Sequence, residues 1–218
     1  NLGGFYGQVQ YIFGEKAGTG APFKPADGVA GTNVQTNNGD GYAIRGGYAN
    51  GPLNISADYM RIKKNALSDT SSSNGTAYAL PRDAEAYGIG ASYDFGIVKP
   101  FVMWNQEKGK SNGDLALPEQ KYQMWLVGLT APVGPGVVRF SYNDLRNKSD
   151  FAPNDKSKQY ALGYVYNLSK RTALYGTYSH ISNDGVAKRG TGISGLSGIT
   201  INPGESVNAY EFGISHSF

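Results

Sequence analysis

The sequence has no cysteine and only two histidines in 218 residues. Without thiols, neither a disulfide framework nor a thiolate metal site can form. No nucleophile motif, phosphate loop or metal-spaced cluster is present, so no cofactor is expected. No stretch approaches the roughly 20 consecutive apolar residues of a transmembrane helix. That excludes a helical membrane protein but not a strand-built one, in which only alternate residues need be apolar. Charge of one sign is also missing. Lysine plus arginine number 20 against 17 acids, a net charge of +3, too even a balance to indicate nucleic-acid binding. What the chain does have is 31 glycines and 16 tyrosines at a mean hydropathy of −0.41.

The large residues alternate. Phe5, Gly7, Val9, Tyr11 and Phe13 share one strand face, with Gln8 and Gln10 opposite. Tyr42, Ile44, Gly46 and Tyr48 follow, then a turn at Asn50-Gly51-Pro52. The return strand carries Leu53, Ile55, Ala57 and Tyr59. The same grammar repeats through Tyr87–Phe95, Val98–Trp104, Trp125–Ala131, Val138–Tyr142, Tyr160–Tyr166, Thr172–Tyr178 and Tyr210–Phe218. Pro100 is a blemish, because proline normally demotes a strand to an edge. Polar stretches at Gly14–Asp40, Lys63–Asp83, Lys108–Gln120, Arg146–Ser157 and Ser182–Ser206 read as loops.

The expectation is an all-β chain of ten antiparallel strands in a single domain over residues 1–218, joined alternately by short turns and by loops of roughly 11 to 27 residues. Strictly alternating connection lengths suit a transmembrane β-barrel, whose turns are short on the periplasmic side and long outside. The aromatic residues sort to two heights. Phe5, Tyr48, Tyr93, Phe95, Tyr166 and Phe218 fall near one rim. Phe13, Tyr42, Tyr59, Tyr87, Trp104, Trp125, Tyr142, Tyr160, Tyr178 and Tyr210 fall near the other. Two belts of amphipathic rings are what two lipid headgroup layers select.

The stretches NLGGFYGQVQY, GGYANGPL, YNLSKRTALYGTYSHI and FGISHSF resemble the general diffusion porins of Gram-negative outer membranes, especially the β-proteobacterial branch. The resemblance implies a sixteen-stranded barrel, of which these would be the seventh to sixteenth strands. At roughly 20 residues per strand and loop, about 120 residues would then precede Asn1. It also implies a passive outer-membrane channel for small hydrophilic solutes and ions, not an enzyme, and a homotrimer. Its surroundings would be membrane lipid and lipopolysaccharide, with the barrel-assembly machinery acting during insertion. In the terminal strand, Tyr210, Phe212, Ile214, His216 and Phe218 resemble the C-terminal assembly signal of such barrels. A complete ten-stranded barrel acting as an adhesin or surface protease through its loops is the alternative. For that reading His180 would have to meet an acid such as Asp184. Loop acids such as Asp69, or Asp150 with Asp155, are candidates for a divalent cation.

The residues expected to line a pore are the charged ones on the face opposite the aromatic girdles: Arg45, Lys99 and Arg139 as cations, Asp58, Asp94 and Glu211 as anions. Arg171 is expected at the periplasmic mouth. Arg45 and Arg139 fall near mid-wall, Lys99 and Asp94 lower, Asp58 and Glu211 higher. The basic balance, together with the resemblance to a branch that contains anion-preferring members, implies a weak anion preference.

Overall fold

The computed structural model describes residues 3–14, 39–67, 80–111, 118–149, 155–190 and 200–218. Ten strands form one antiparallel sheet in sequence order: β1 (Phe5–Ile12), β2 (Gly41–Asn50), β3 (Leu53–Leu67), β4 (Leu80–Tyr93), β5 (Lys99–Ser111), β6 (Gln120–Val133), β7 (Gly136–Asn147), β8 (Asp155–Asn167), β9 (Thr172–Gly185) and β10 (Val207–His216). No helix occurs among the described residues. Among the described residues each strand pairs only with its sequence neighbours, so β1 and β10 have one partner each there.

The short turns use the backbone freedom of glycine. Gly51, Gly96 and Gly134 sit at φ of 54°, 81° and 57°, conformations that side chains with a Cβ disfavour. The β8–β9 turn is held by Ser169, whose Oγ accepts from the amides of Arg171 and Thr172, each at 3.1 Å. Pro100 lies one step beyond the last β4–β5 pair, Ser92 opposite Phe101, where its missing N–H breaks no bond to β4.

Cross-strand partners share a face, and the register confirms the alternation. Val9 is opposite Ile44, Ala57 opposite Ile89, Val102 opposite Val127, Phe140 opposite Leu162, and Leu174 opposite Ile214. This face is bare: Val9 is 79%, Leu162 53% and Phe212 80% exposed. The only apolar side chains buried among the described residues are Ile181 and Ala187. Water-soluble proteins rarely expose a continuous apolar patch beyond a few hundred Å², and this one extends across all ten strands.

The aromatic girdle at the loop end encodes the strand tilt. Tyr59 faces Tyr87, Trp104 faces Trp125, Tyr142 faces Tyr160, and Tyr178 faces Tyr210. Between these pairs the girdle slips by two residues. Tyr42 is opposite Arg61, Tyr87 opposite Gln106, Trp125 opposite Asp144, and Tyr160 opposite His180. Neighbouring rings nonetheless stay in contact, with centroids 4.9 to 6.4 Å apart. Two residues per two strands is about 3.3 Å along for every 4.8 Å across. If the rings lie at one membrane level, the strands tilt by about 35°, as barrel closure requires.

The strands run further than their hydrophobic pattern. β3 continues to Leu67 and β4 begins at Leu80, inside the stretch Lys63–Asp83 expected as loop. β5 extends to Ser111, β8 begins at Asp155 and β9 reaches Gly185. Beyond the girdle both faces meet polar surroundings. The apolar-polar alternation therefore disappears while the ladder hydrogen bonds continue.

Candidate functional site

The other face of the sheet is polar, and it gathers the expected charges. Gln8, Arg45 and Asp58 stand in one cross-strand row. Lys99, Thr130, Arg139, Gly163, Thr177 and Glu211 stand in a second. Asp94 lies one residue past the end of β4. Its carboxylate accepts from the Gly96 N–H at 2.8 Å, so its side chain is engaged in the turn. Arg171 lies in the β8–β9 turn, where its carbonyl accepts from the Ser217 N–H.

Counted from the girdle residue of each strand, Arg45 and Arg139 are both three residues below, Lys99 five, and Asp58 and Glu211 one. With the tilt, those depths are about 8, 14 and 3 Å. Of these five, the cations occupy the deeper wall and the anions the level next to the loops; Asp94, seven residues below Tyr87, lies deeper still, in the β4–β5 turn.

Arg45 and Asp58 are direct ladder partners, yet they lean apart. The Arg45 guanidinium lies over the Tyr6 ring, 5.8 Å from its centroid. The Asp58 carboxylate lies over Gly88, where an added Cβ would sit 3.1 Å from Oδ1. The Tyr6 ring in turn covers Gly47, leaving no room for a Cβ there, and its hydroxyl donates to Asn54 Oδ1 at 2.7 Å. Tyr6 thus holds Arg45 away from the acid. Arg139 borders a concavity of about 600 Å³ together with Phe101, Thr130, Gly163, Tyr175 and Thr177. Small residues beside it, Ser141, Ala161 and Gly163, leave its guanidinium open. Arg45, Asp58, Lys99, Arg139 and Glu211 are all exposed.

A further cluster on this face had no sequence signal. Asn183 on β9, only 6% exposed, accepts from Ser157 Oγ at 2.6 Å and from the Arg189 amide at 3.1 Å. Its Nδ2 donates to the carbonyls of Arg189 (2.9 Å) and Glu205 (2.7 Å). Arg189 pairs with Asp155 and donates to Ser157 Oγ at 2.9 Å. One asparagine thus ties both ends of the β9–β10 connection to the wall. Asn183→Ala removes four hydrogen bonds, and the polar groups left behind cost about 2–3 kcal/mol. The loss should appear as faster amide exchange in residues 186–190, with the strand cores unchanged.

The remaining candidates fall elsewhere. His180 is on the apolar-face side and its Nδ1 shares a 2.8 Å hydrogen bond with Asn208 Oδ1, not with Asp184. Asp155 is bound to Arg189, while Asp69 and Asp150 lie outside the described residues. Tyr210, Phe212 and Ile214 point to the apolar face. His216 meets Thr172 Oγ1 at 2.9 Å and stacks edge-on with Phe218, centroids 5.0 Å apart.

An antiparallel sheet with one apolar face framed by aromatic belts and one face of exposed charge is the wall of a transmembrane β-barrel. The chain belongs to the Gram-negative porin family, whose model matches residues 1–186, and its place is the bacterial outer membrane. It is 34% identical, along its whole length, to outer membrane porin protein 32 of Delftia acidovorans, covering 54% of that protein. It is 28% identical over 157 residues to an outer-membrane porin of Bordetella pertussis. That match takes in 62% of the chain and 39% of the relative. The anion-selective porin from Comamonas acidovorans superposes with a TM-score of 0.73 at 30% identity, over all of this chain and 57% of that one. The chain spans about half the length of the curated relatives it matches.

Proposed function

We propose that the polar face lines a water-filled outer-membrane channel through which small hydrophilic solutes and ions diffuse passively, with a weak preference for anions. The observation that carries this reading is the exposed pair Arg45 and Arg139, at one depth and without an acid bound to either among the described residues. The 30% identity to a porin described as anion-selective supports the sign. Charges on a pore wall bias ion passage without any covalent chemistry; the protein is no enzyme.

The ten strands would be part of a wider wall of sixteen. The single-partner edges of β1 and β10 support this, because an unpaired ladder edge is not tolerated in lipid. The resemblance to general porins adds a homotrimer, a lipopolysaccharide environment and insertion by the barrel-assembly machinery. It reads Tyr210, Phe212, Ile214, His216 and Phe218 as the recognised strand. Planar-bilayer recording tests the proposal. Stable ohmic steps with a chloride-leaning reversal potential are expected; a closed barrel would contradict it.

A further inference from the structure

Three rings on the polar face cover a glycine of the neighbouring strand: Tyr6 over Gly47, Phe101 over Gly128 and Tyr175 over Gly213. Aromatic cover of a strand glycine supports a sheet, and that accounts for all three alike. Their surroundings differ. The Arg45 guanidinium occupies the Tyr6 ring, and the Tyr6 hydroxyl is bound to Asn54. Tyr175 has an acid beside it, because Glu211 is two residues from Gly213 on the same face of β10. Phe101 has neither. Among the described residues no ring or cation is stacked on it.

The cations stand below that ring. Gly128 and Thr130 are two residues apart on one face of β6, and Thr130 is the ladder partner of both Lys99 and Arg139. Lys99 and Arg139 therefore flank one hydroxyl with about 10 Å between their Cα atoms, and the glycine under the Phe101 ring lies about 7 Å further up β6. Phe101, Thr130 and Arg139 border the same concavity of about 600 Å³. Two acids face the group. Asp94, in the turn before Lys99, accepts from the Gly96 N–H. Glu211 is three strands beyond Arg139 in its row. Neither is ion-paired with Lys99 or Arg139.

A chloride ion satisfies the two cations and leaves the ring idle. A solute that uses every element carries a flat apolar ring with an anionic group at one end. We propose that Phe101, Lys99, Thr130 and Arg139 form a subsite for aromatic carboxylates on the channel wall. The solute ring stacks on Phe101, and its carboxylate accepts from the Thr130 hydroxyl and the Lys99 and Arg139 head groups. The inference deepens the channel reading and rests on it. Such a site holds a passing solute briefly, since conduction needs binding weak enough to release.

Bilayer recordings in KCl at about pH 7, where carboxylic acids are ionised, test it with three probes: benzoate, cyclohexanecarboxylate and benzyl alcohol. Benzoate is expected to reduce the conductance saturably, at concentrations about threefold or more below cyclohexanecarboxylate, which has the charge and bulk without the π face. Benzyl alcohol, a ring without charge, should give no saturable reduction. Phe101→Leu should abolish the difference between the two carboxylates. Lys99→Gln/Arg139→Gln should weaken both by about tenfold. Equal action of the two carboxylates on the unmodified protein would overturn the proposal, and that comparison stands even if Phe101→Leu does not fold. A benzoate advantage that survives Phe101→Leu would also overturn it. Benzyl alcohol acting as strongly as benzoate would assign an uncharged-ring site and overturn the carboxylate assignment. Absence of KCl steps would count against the channel reading alone. Isothermal titration of the detergent-solubilised protein needs no current: benzoate binding about threefold tighter than cyclohexanecarboxylate supports the subsite, and equal or absent binding overturns it.

Discussion

Under a KCl gradient, Arg139→Ala and Arg45→Ala are each expected to shift the reversal potential toward potassium. The size follows from Coulomb's law. A unit charge about 6 Å from a permeating ion in water contributes about 0.7 kcal/mol, and screening at ordinary salt roughly halves it. Chloride is enriched and potassium depleted by similar factors of nearly two. The chloride-to-potassium permeability ratio should therefore fall about threefold for each substitution and about tenfold for both. The two sites should act independently, since five strand spacings separate β2 from β7. Asp58→Asn should move the ratio the other way by less, because Asp58 sits only one residue below the girdle. A chloride preference unmoved by either arginine would place selectivity in other parts of the wall.

The second large effect belongs to the apolar face. Leu162 is 53% exposed in the isolated sheet and lies two residues below Tyr160, within the apolar band. Leu162→Arg puts a charge into hydrocarbon between the interface and the midplane and should destabilise the inserted barrel by about 1–2 kcal/mol. Thr177→Arg, on the polar face in Arg139's row, meets water and should change stability by less than about 0.5 kcal/mol. Urea unfolding from lipid vesicles distinguishes the two. Equal losses would mean that the faces have been assigned the wrong way round. Thr177→Arg has a second expected effect, a stronger chloride preference, because it adds a cation near Glu211.

The sequence made the faces legible because lipid punishes any lapse in alternation. Val9, Ile44, Ile89, Leu129, Phe140 and Leu162 all share the apolar side in the register. The girdle was readable for the same reason: headgroup layers fix the height of Tyr59, Trp104, Trp125 and Tyr142. The strand ends were not readable. Past the girdle, selection for alternation stops, and β3 and β4 continue into what looks like loop. Long-range polar contacts were hidden too. Lys108 and Lys121 lie on either side of a connection, and only the β5–β6 register makes them neighbours. Arg189 and Asp155 are 34 residues apart, and nothing in the local sequence links them. Asp94 follows the inward parity of β4, but the Asp94-Phe95-Gly96 turn captures its carboxylate.

The central claim, that the polar face borders water inside a channel while the opposite face borders lipid, has a direct measurement. The chain has no cysteine, so single cysteines can be read without background. Thr177→Cys and Ser141→Cys on the polar face, and Phe140→Cys and Leu162→Cys on the apolar face, would be treated with a charged, water-soluble thiol reagent during bilayer recording. Rapid modification and a stepwise drop in conductance are expected for Thr177→Cys and Ser141→Cys. Phe140→Cys and Leu162→Cys should show neither. Modification of the apolar-face cysteines with loss of current, or silence at the polar-face ones, would contradict it.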